Sequence, residues 1–227
     1  MASERVYPDL SEFLRYLAKE NDDGERLPAL ASLGQHLGVS TASLREQLEV
    51  ARALGLVEVR PKTGIRRLPY RFTPAVLNSL LYATAIDTAY FFKAFSDLRN
   101  HVEASYWRQA VELLIDSDFV SLTGLVDSAL KKLRGTPIQI PHDEHRELHL
   151  SIYGRLNNPF VTGILEAYWE VYEAVGLNVY TDITYLEKVW NYHQKMVEAI
   201  CEGRTEDGYH ALIEHTDLLF ERSNPYA

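Results

Sequence analysis

Four histidines carry the chemistry with the clearest spacing in this 227-residue chain. His145 and His149 lie four residues apart in a segment with helical patterning. On a helix that spacing sets two side chains about 40° apart and one turn above each other, so two imidazoles can reach one metal ion. His193 and His215 flank Gly203. Two helices folded back at that glycine would bring these imidazoles together at mid-height. Val189, Met196, Val197 and Ile200 run with His193, and Leu212, Leu218 and Leu219 run with His215, so both are expected to face inward. Any one of the four, taken singly, reads more readily as a core or surface histidine with satisfied nitrogens. Four of them on three helices facing one core are harder to account for as packing, because every buried imidazole needs partners. The set points to ligation of a divalent transition metal.

The elements that must position these residues follow from the hydrophobic period. After residue 74 the pattern is helical throughout, with Gly and Pro confined to breaks at Gly124, Gly135-Thr136-Pro137, Pro141, Asn157-Asn158-Pro159, Gly176 and Gly203. The spacing predicts helices near 75–86, 89–114, 117–133, 141–156, 159–178, 182–202 and 205–222. Six to seven helices with short loops make an antiparallel all-α bundle. Asn158 is expected to cap the helix that begins at Pro159, and Cys201 to pack beside Ile200. Tyr153, Trp169, Tyr172 and Tyr192 are candidate pocket aromatics, although a stripe at helical spacing is ordinarily core.

The first 70 residues read differently. Leu10, Phe13, Leu14 and Leu17 give one amphipathic helix, started by Pro8 and ended by Asn21-Asp22-Asp23-Gly24. A short helix follows Pro28 and stops at Gly38. Ser40 caps a third through Leu54. Leu56–Arg60, a Pro61-Lys62-Thr63-Gly64 turn and Ile65–Leu68 read as a hairpin. Helix, helix, tight turn, helix and basic hairpin spell a winged helix-turn-helix. The expected fold is therefore mainly α: a winged helix-turn-helix over 1–70, a linker over 71–75 and the bundle over 76–227. Thr41, Ser43 and Arg45 would enter a DNA major groove, with Lys62, Arg66 and Arg67 of the wing against phosphate or minor groove.

Charge agrees with this division. Residues 1–70 hold ten Lys/Arg and ten Asp/Glu, whereas 71–227 hold thirteen and twenty-two, which accounts for the net charge of −9. Residues 54–71 are locally basic, with Arg60, Lys62, Arg66, Arg67 and Arg71 against Glu58 alone. A basic segment on an acidic chain is a candidate polyanion contact. The 46% apolar fraction excludes intrinsic disorder. No uncharged apolar stretch approaches the ~20 residues of a membrane span. The single cysteine excludes a disulfide framework and fits a reducing cytoplasm.

Two resemblances sharpen these expectations. Leu27-Pro28, Leu37-Gly38-Val39-Ser40, Leu44-Arg45-Glu46, Leu48, Gly55-Leu56-Val57 and the wing Gly64 resemble the GntR-type winged helix. The chain departs from that pattern where the family has DNA-contacting arginines, after Leu-Pro (Ala31) and after the turn serine (Thr41); Arg45 keeps its place. Leu98-Arg99 to Glu103, His145 to Ile152 with Asn158-Pro159, and His193 to Ile200 with His215 resemble the FCD ligand-binding domain of FadR-type regulators. That resemblance implies a metal-containing effector domain, often with zinc or nickel held by one Asp and three His. The matching positions are His145, where the family has Asp, and His149, His193 and His215. A neutral shell disfavours hard ions such as magnesium and favours zinc, nickel or copper.

The resemblance further implies a homodimeric transcriptional repressor that reads a two-fold symmetric operator and responds to a small organic acid. Arg99 is the candidate effector contact, since guanidinium grips carboxylate in a fork; its alternative is a salt bridge to Glu103 at i+4. No catalytic residue is expected. His145-Arg146-Glu147-Leu148-His149 lacks the glutamate that H-E-x-x-H requires after its first histidine, and four histidines would leave no open position for water. A metal-dependent hydrolase is thus a remote alternative, and a purely structural metal site a closer one.

Overall fold

A computed structural model describes residues 9–19, 26–61, 64–175 and 182–222, the last four of these by backbone alone. The chain divides into two compact units, Met1–Asn78 and Ser79–Ala227.

The first unit begins with α1 (Glu12–Lys19), α2 (Leu30–Leu37) and α3 (Thr41–Ala53), followed by β1 (Val57–Arg60) and β2 (Gly64–Arg67). Its core gathers Phe13 and Leu17 from α1, Leu33 from α2, Leu44, Leu48 and Ala51 from α3, and Val57 and Ile65 from the hairpin. The corner between α2 and α3 is made by Gly38, whose φ of 69° closes α2, and by Ser40, whose hydroxyl accepts from the Ser43 amide at 3.1 Å. Gln47 ties α1 to α3: its side-chain oxygen accepts from the Phe13 amide at 2.9 Å and its amide donates to Glu12 at 3.1 Å. The strands pair antiparallel, with Glu58 opposite Arg66 and Val59 opposite Ile65. The expected stop at Asn21–Gly24 and the Pro8 start lie outside the described residues.

α4 (Thr73–Ile86) starts two residues before the expected position, which puts Pro74 in its first turn, where a missing N–H costs nothing. The second unit continues with α5 (Thr88–Glu112), α6 (Asp116–Leu133), α7 (His142–Tyr153), α8 (Pro159–Ala174), α9 (Ile183–Cys201) and α10 (Thr205–Arg222). α7 ends earlier than expected, in a 3₁₀ turn over Gly154–Leu156. Asn157 then adopts a left-handed φ of 49°, which asparagine tolerates better than most residues. Asn158 caps α8 as expected, its Oδ1 accepting from the Phe160 amide at 3.0 Å. Cys201 is exposed rather than packed. Among the described residues no helix is long and apolar enough to cross a membrane.

α9 packs against α10 and α6, while α5 runs against α7, α8 and α10. Trp107 of α5 is fully buried and donates from its indole N–H to the Thr205 carbonyl at 2.9 Å, fixing the start of α10. A Cβ at Gly208 would stand 2.7 Å from the Trp107 ring. Helix propensity alone makes Gly208→Ala stabilising by about 1 kcal/mol, whereas overpacking against a rigid indole costs about 1–3 kcal/mol. Gly208→Ala is therefore expected to lower the urea midpoint, with an unchanged slope.

Candidate functional site

α7, α9 and α10 bring His145, His149, His193 and His215 together in the second unit. One ring nitrogen of each lies within 4.8 Å of one from every other. His149 and His193 are fully buried and His215 nearly so, with His145 half-buried at the edge. The back-folding of α9 and α10 sets the His193 and His215 rings 4.3 Å apart, and His145 stands 4.5 Å from His193. The His149 and His193 Nε2 atoms are 3.1 Å apart. His142 stays outside the group, beside Glu173 at 3.0 Å and stacked on Tyr172.

The fit to a metal can be judged from the nitrogens. His145 Nε2, His193 Nδ1 and both His215 nitrogens are buried without a hydrogen-bond partner among the described residues. Leaving such groups unpaired costs about 1–3 kcal/mol each. Two nitrogens that share an ion at about 2.1 Å stand about 3.0–3.4 Å apart, and the His149–His193 separation falls in that interval. Desolvation, reinforced by mutual repulsion with neighbouring histidines and Arg99, holds His145, His193 and His215 well below the ordinary imidazole pKa. Burial likewise lowers His149, partly opposed by Glu103. The rings are thus neutral at pH 7, the form that ligates. The four side chains fit a divalent transition metal.

Behind them lies a carboxylate that the sequence reading assigned only to Arg99. Glu103 of α5, fully buried, accepts from His149 Nδ1 at 3.1 Å and pairs with Arg99 at 3.0 Å. Burial alone would raise the Glu103 pKa; Arg99 and His149 more than offset it and hold the carboxyl below its usual range. The bond from Nδ1 fixes the His149 tautomer and turns Nε2 inward, as outer carboxylates do for metal-binding histidines. A signal for Glu103 existed in the sequence: Ser96, Arg99, Asn100, Glu103, Trp107 and Ala110 form one buried stripe on α5, with polar residues at its centre.

Arg99 is 1% exposed and forms the i+4 salt bridge to Glu103 that was the alternative weighed for it. It pairs with Glu103, donates to Asn100 Oδ1 at 3.1 Å and sits 4.8 Å over the Tyr168 ring. Two of its nitrogens, Nε and Nη2, make no aligned hydrogen bond among the described residues, and it lines a cavity of about 20 Å³ with His145, His215, Trp169, Tyr172 and Tyr185. That volume holds about one water. Of the other candidate aromatics, Tyr153 instead donates to the Glu103 carbonyl at 3.0 Å, and Tyr192 packs on the main core.

In the first unit, Thr41 and Arg45 are exposed on α3. Ser43 is half-buried, and its hydroxyl accepts from Gln47 at 3.3 Å. Arg66 is exposed on the wing, whereas Lys62 lies outside the described residues. Arg67 corrects the expectation of a phosphate contact: it is only 4% exposed. Strand side chains alternate between faces, so with Ile65 inward and Arg66 outward, Arg67 must point inward.

The buried imidazoles have a consequence for acid stability. Their folded pKa values lie below the unfolded value of about 6.5. Below that pH the unfolded chain binds protons that the folded chain refuses, so stability falls as pH drops. Chelator-treated protein is expected to lose melting temperature steadily from pH 7 to pH 5. The loss should be shallower in His145→Gln; equal slopes would contradict a neutral buried cluster.

The FCD domain family matches residues 95–218, more than half of the chain. No protein of curated function matches the sequence. Among solved structures, Streptococcus agalactiae GntR is similar over 91% of this chain and 94% of its own, with 17% identity and a TM-score of 0.67. That likeness establishes the shared fold of winged helix-turn-helix and helical bundle. Escherichia coli McbR/YncC covers 94% of this chain and 97% of its own at 19% identity and a TM-score of 0.47. Lar, which controls the expression of the Listeria monocytogenes agr system, covers 95% and 96% at 17% identity and 0.46. With the four histidines, Arg99 and Glu103 all inside the matched segment, the chain belongs to the FCD domain family.

Proposed function

We propose that this protein is a GntR-type transcription regulator whose affinity for a two-fold symmetric operator is set by a small carboxylate bound beside a divalent transition metal. FCD proteins are regulators rather than enzymes. The observation that carries the metal reading is the convergence of His145, His149, His193 and His215, with their buried, unpartnered nitrogens. Zinc or nickel suits a shell of four neutral imidazoles, and a bound ion would supply the positive charge that draws a carboxylate. Arg99 supports the effector reading, because it lines the same cavity as His145 and His215 and its Nε makes no hydrogen bond among the described residues. A bidentate carboxylate grip requires such a planar fork.

In the first unit, Thr41 and Arg45 remain the candidate base-edge contacts and Arg66 the candidate phosphate contact. Ser43 contributes through its amide and hydroxyl to holding the start of α3. Leu81, Tyr82, Ile86 and Tyr90 are large apolar side chains exposed on α4 and the start of α5, and they support a homodimer, since contiguous exposed apolar residues mark association surfaces. Two heads related by a two-fold axis match a palindromic operator.

The small cavity favours one second reading, a metal that only braces α7, α9 and α10. Elemental analysis of untagged, chelator-free protein separates these readings in sequence. About one zinc or nickel ion per chain is expected, lost in His193→Ala together with several degrees of melting temperature; no ion in the wild type would sink both. Succinate and citrate are then titrated into the loaded protein. Saturable binding lost in Arg99→Gln supports sensing, and no binding supports the bracing role. For the DNA-binding unit, Arg45→Ala is expected to abolish a specific footprint, and Arg66→Ala to reduce the salt slope by about 1. An unchanged footprint and slope would remove α3 and the wing from the interface.

A further inference from the structure

Arg67 is the residue that the proposed function leaves unexplained. Its guanidinium lies within the first unit, 4% exposed, and none of Nε, Nη1 or Nη2 has a hydrogen-bond partner among the described residues. Arginine does not shed its proton to escape such a position. An isolated buried cation is among the most costly arrangements in a protein, and native structures pair it. An anion is therefore called for at Arg67.

The surroundings say what the rest of that anion is. Arg67 lines a cavity of about 290 Å³ whose other walls include Leu14 and Leu17 of α1, Leu54 and Leu56 after α3, and Leu68 after β2. Those walls would be a poor match for a free phosphate or sulfate, which needs several donors. They match an aliphatic body joined to one anionic head. The volume lies at the lower end of ligand pockets, which sets the body at a short to medium chain.

The geometry points to a second ligand site in this protein, in the DNA-binding unit: a pocket for a medium-chain aliphatic carboxylate, its head paired with Arg67 and its chain among the leucines of α1 and the α3–β1 corner. The site shares no residue with the four histidines, Arg99 or Glu103 of the other unit. Its walls are α1, the end of α3 and the end of β2, the strand that exposes Arg66 one residue earlier. A bound chain would brace the wing against α1 and so reach the same surface that the proposed function assigns to DNA; binding itself does not rest on that reading.

Calorimetric titration of the full chain with sodium octanoate tests the site. Saturable binding is expected, tightening about fourfold per methylene from hexanoate to octanoate, with 1-octanol at least tenfold weaker than octanoate. Arg67→Met, which keeps the aliphatic stem, should weaken octanoate at least tenfold, while Arg66→Met and His193→Ala leave it unchanged. Because Arg67→Met could disturb the fold, the wild type carries an independent measurement: octanoate should shift the methyl NMR signals of Leu14, Leu17 and Leu54. Absence of octanoate binding, binding retained in Arg67→Met, loss in His193→Ala, or shifts confined to the four-histidine unit would each overturn the proposal.

Discussion

The bonding of one buried carboxylate organises the second unit. Glu103 lies at the middle of the polar stripe on α5 with no exposure to water, and it holds Arg99 at 3.0 Å and His149 at 3.1 Å. A carboxylate in that position is tolerable only while both partners remain, since removing either leaves an uncompensated buried charge. α5 is thereby locked to α7, and the orientation of His149 is set before any ion is considered. The other three histidines inherit their placement from packing: α9 and α10 fold together at Gly203, and Trp107 anchors the start of α10.

This arrangement sets a polar cluster inside an otherwise apolar bundle. Trp169 packs against His145 and His149, and Trp190 against His145 and His193, both indoles being buried. Burial removes water from His145 Nε2, His193 Nδ1 and both His215 nitrogens and keeps the rings neutral. Those four nitrogens have no hydrogen-bond partner among the described residues, so the cluster gains from a ligand that accepts several lone pairs at once.

The first unit obeys a simpler constraint. Its hairpin is short, and each residue of β2 is assigned to one face by the pleat. Counting basic residues between 54 and 71 locates the wing but says nothing of direction, which is why Arg66 and Arg67 were grouped together. The alternation Ile65, Arg66, Arg67, Leu68 already contained the correction. A buried residue 65 on a two-residue period requires a buried residue 67, whatever its charge.

The order and nearly all bounds of the helices were legible in the sequence, because amphipathic periodicity and Gly, Pro and Asn breaks act locally. So was the convergence of His145, His149, His193 and His215: spacing on one helix and back-folding at one glycine are short-range facts. The partner of His149 was not legible, since Glu103 lies 46 residues away, and local pattern assigns a face to α5 without saying what meets it. Nor could spacing show that Arg99 both pairs with Glu103 and borders the cavity, or that leucines from α1 and the α3–β1 corner enclose Arg67. Those outcomes depend on which buried faces are pressed together, and that choice belongs to the packing of the whole unit: periodicity fixes the direction a side chain points, and only close-packed neighbours from distant segments decide what it finds there.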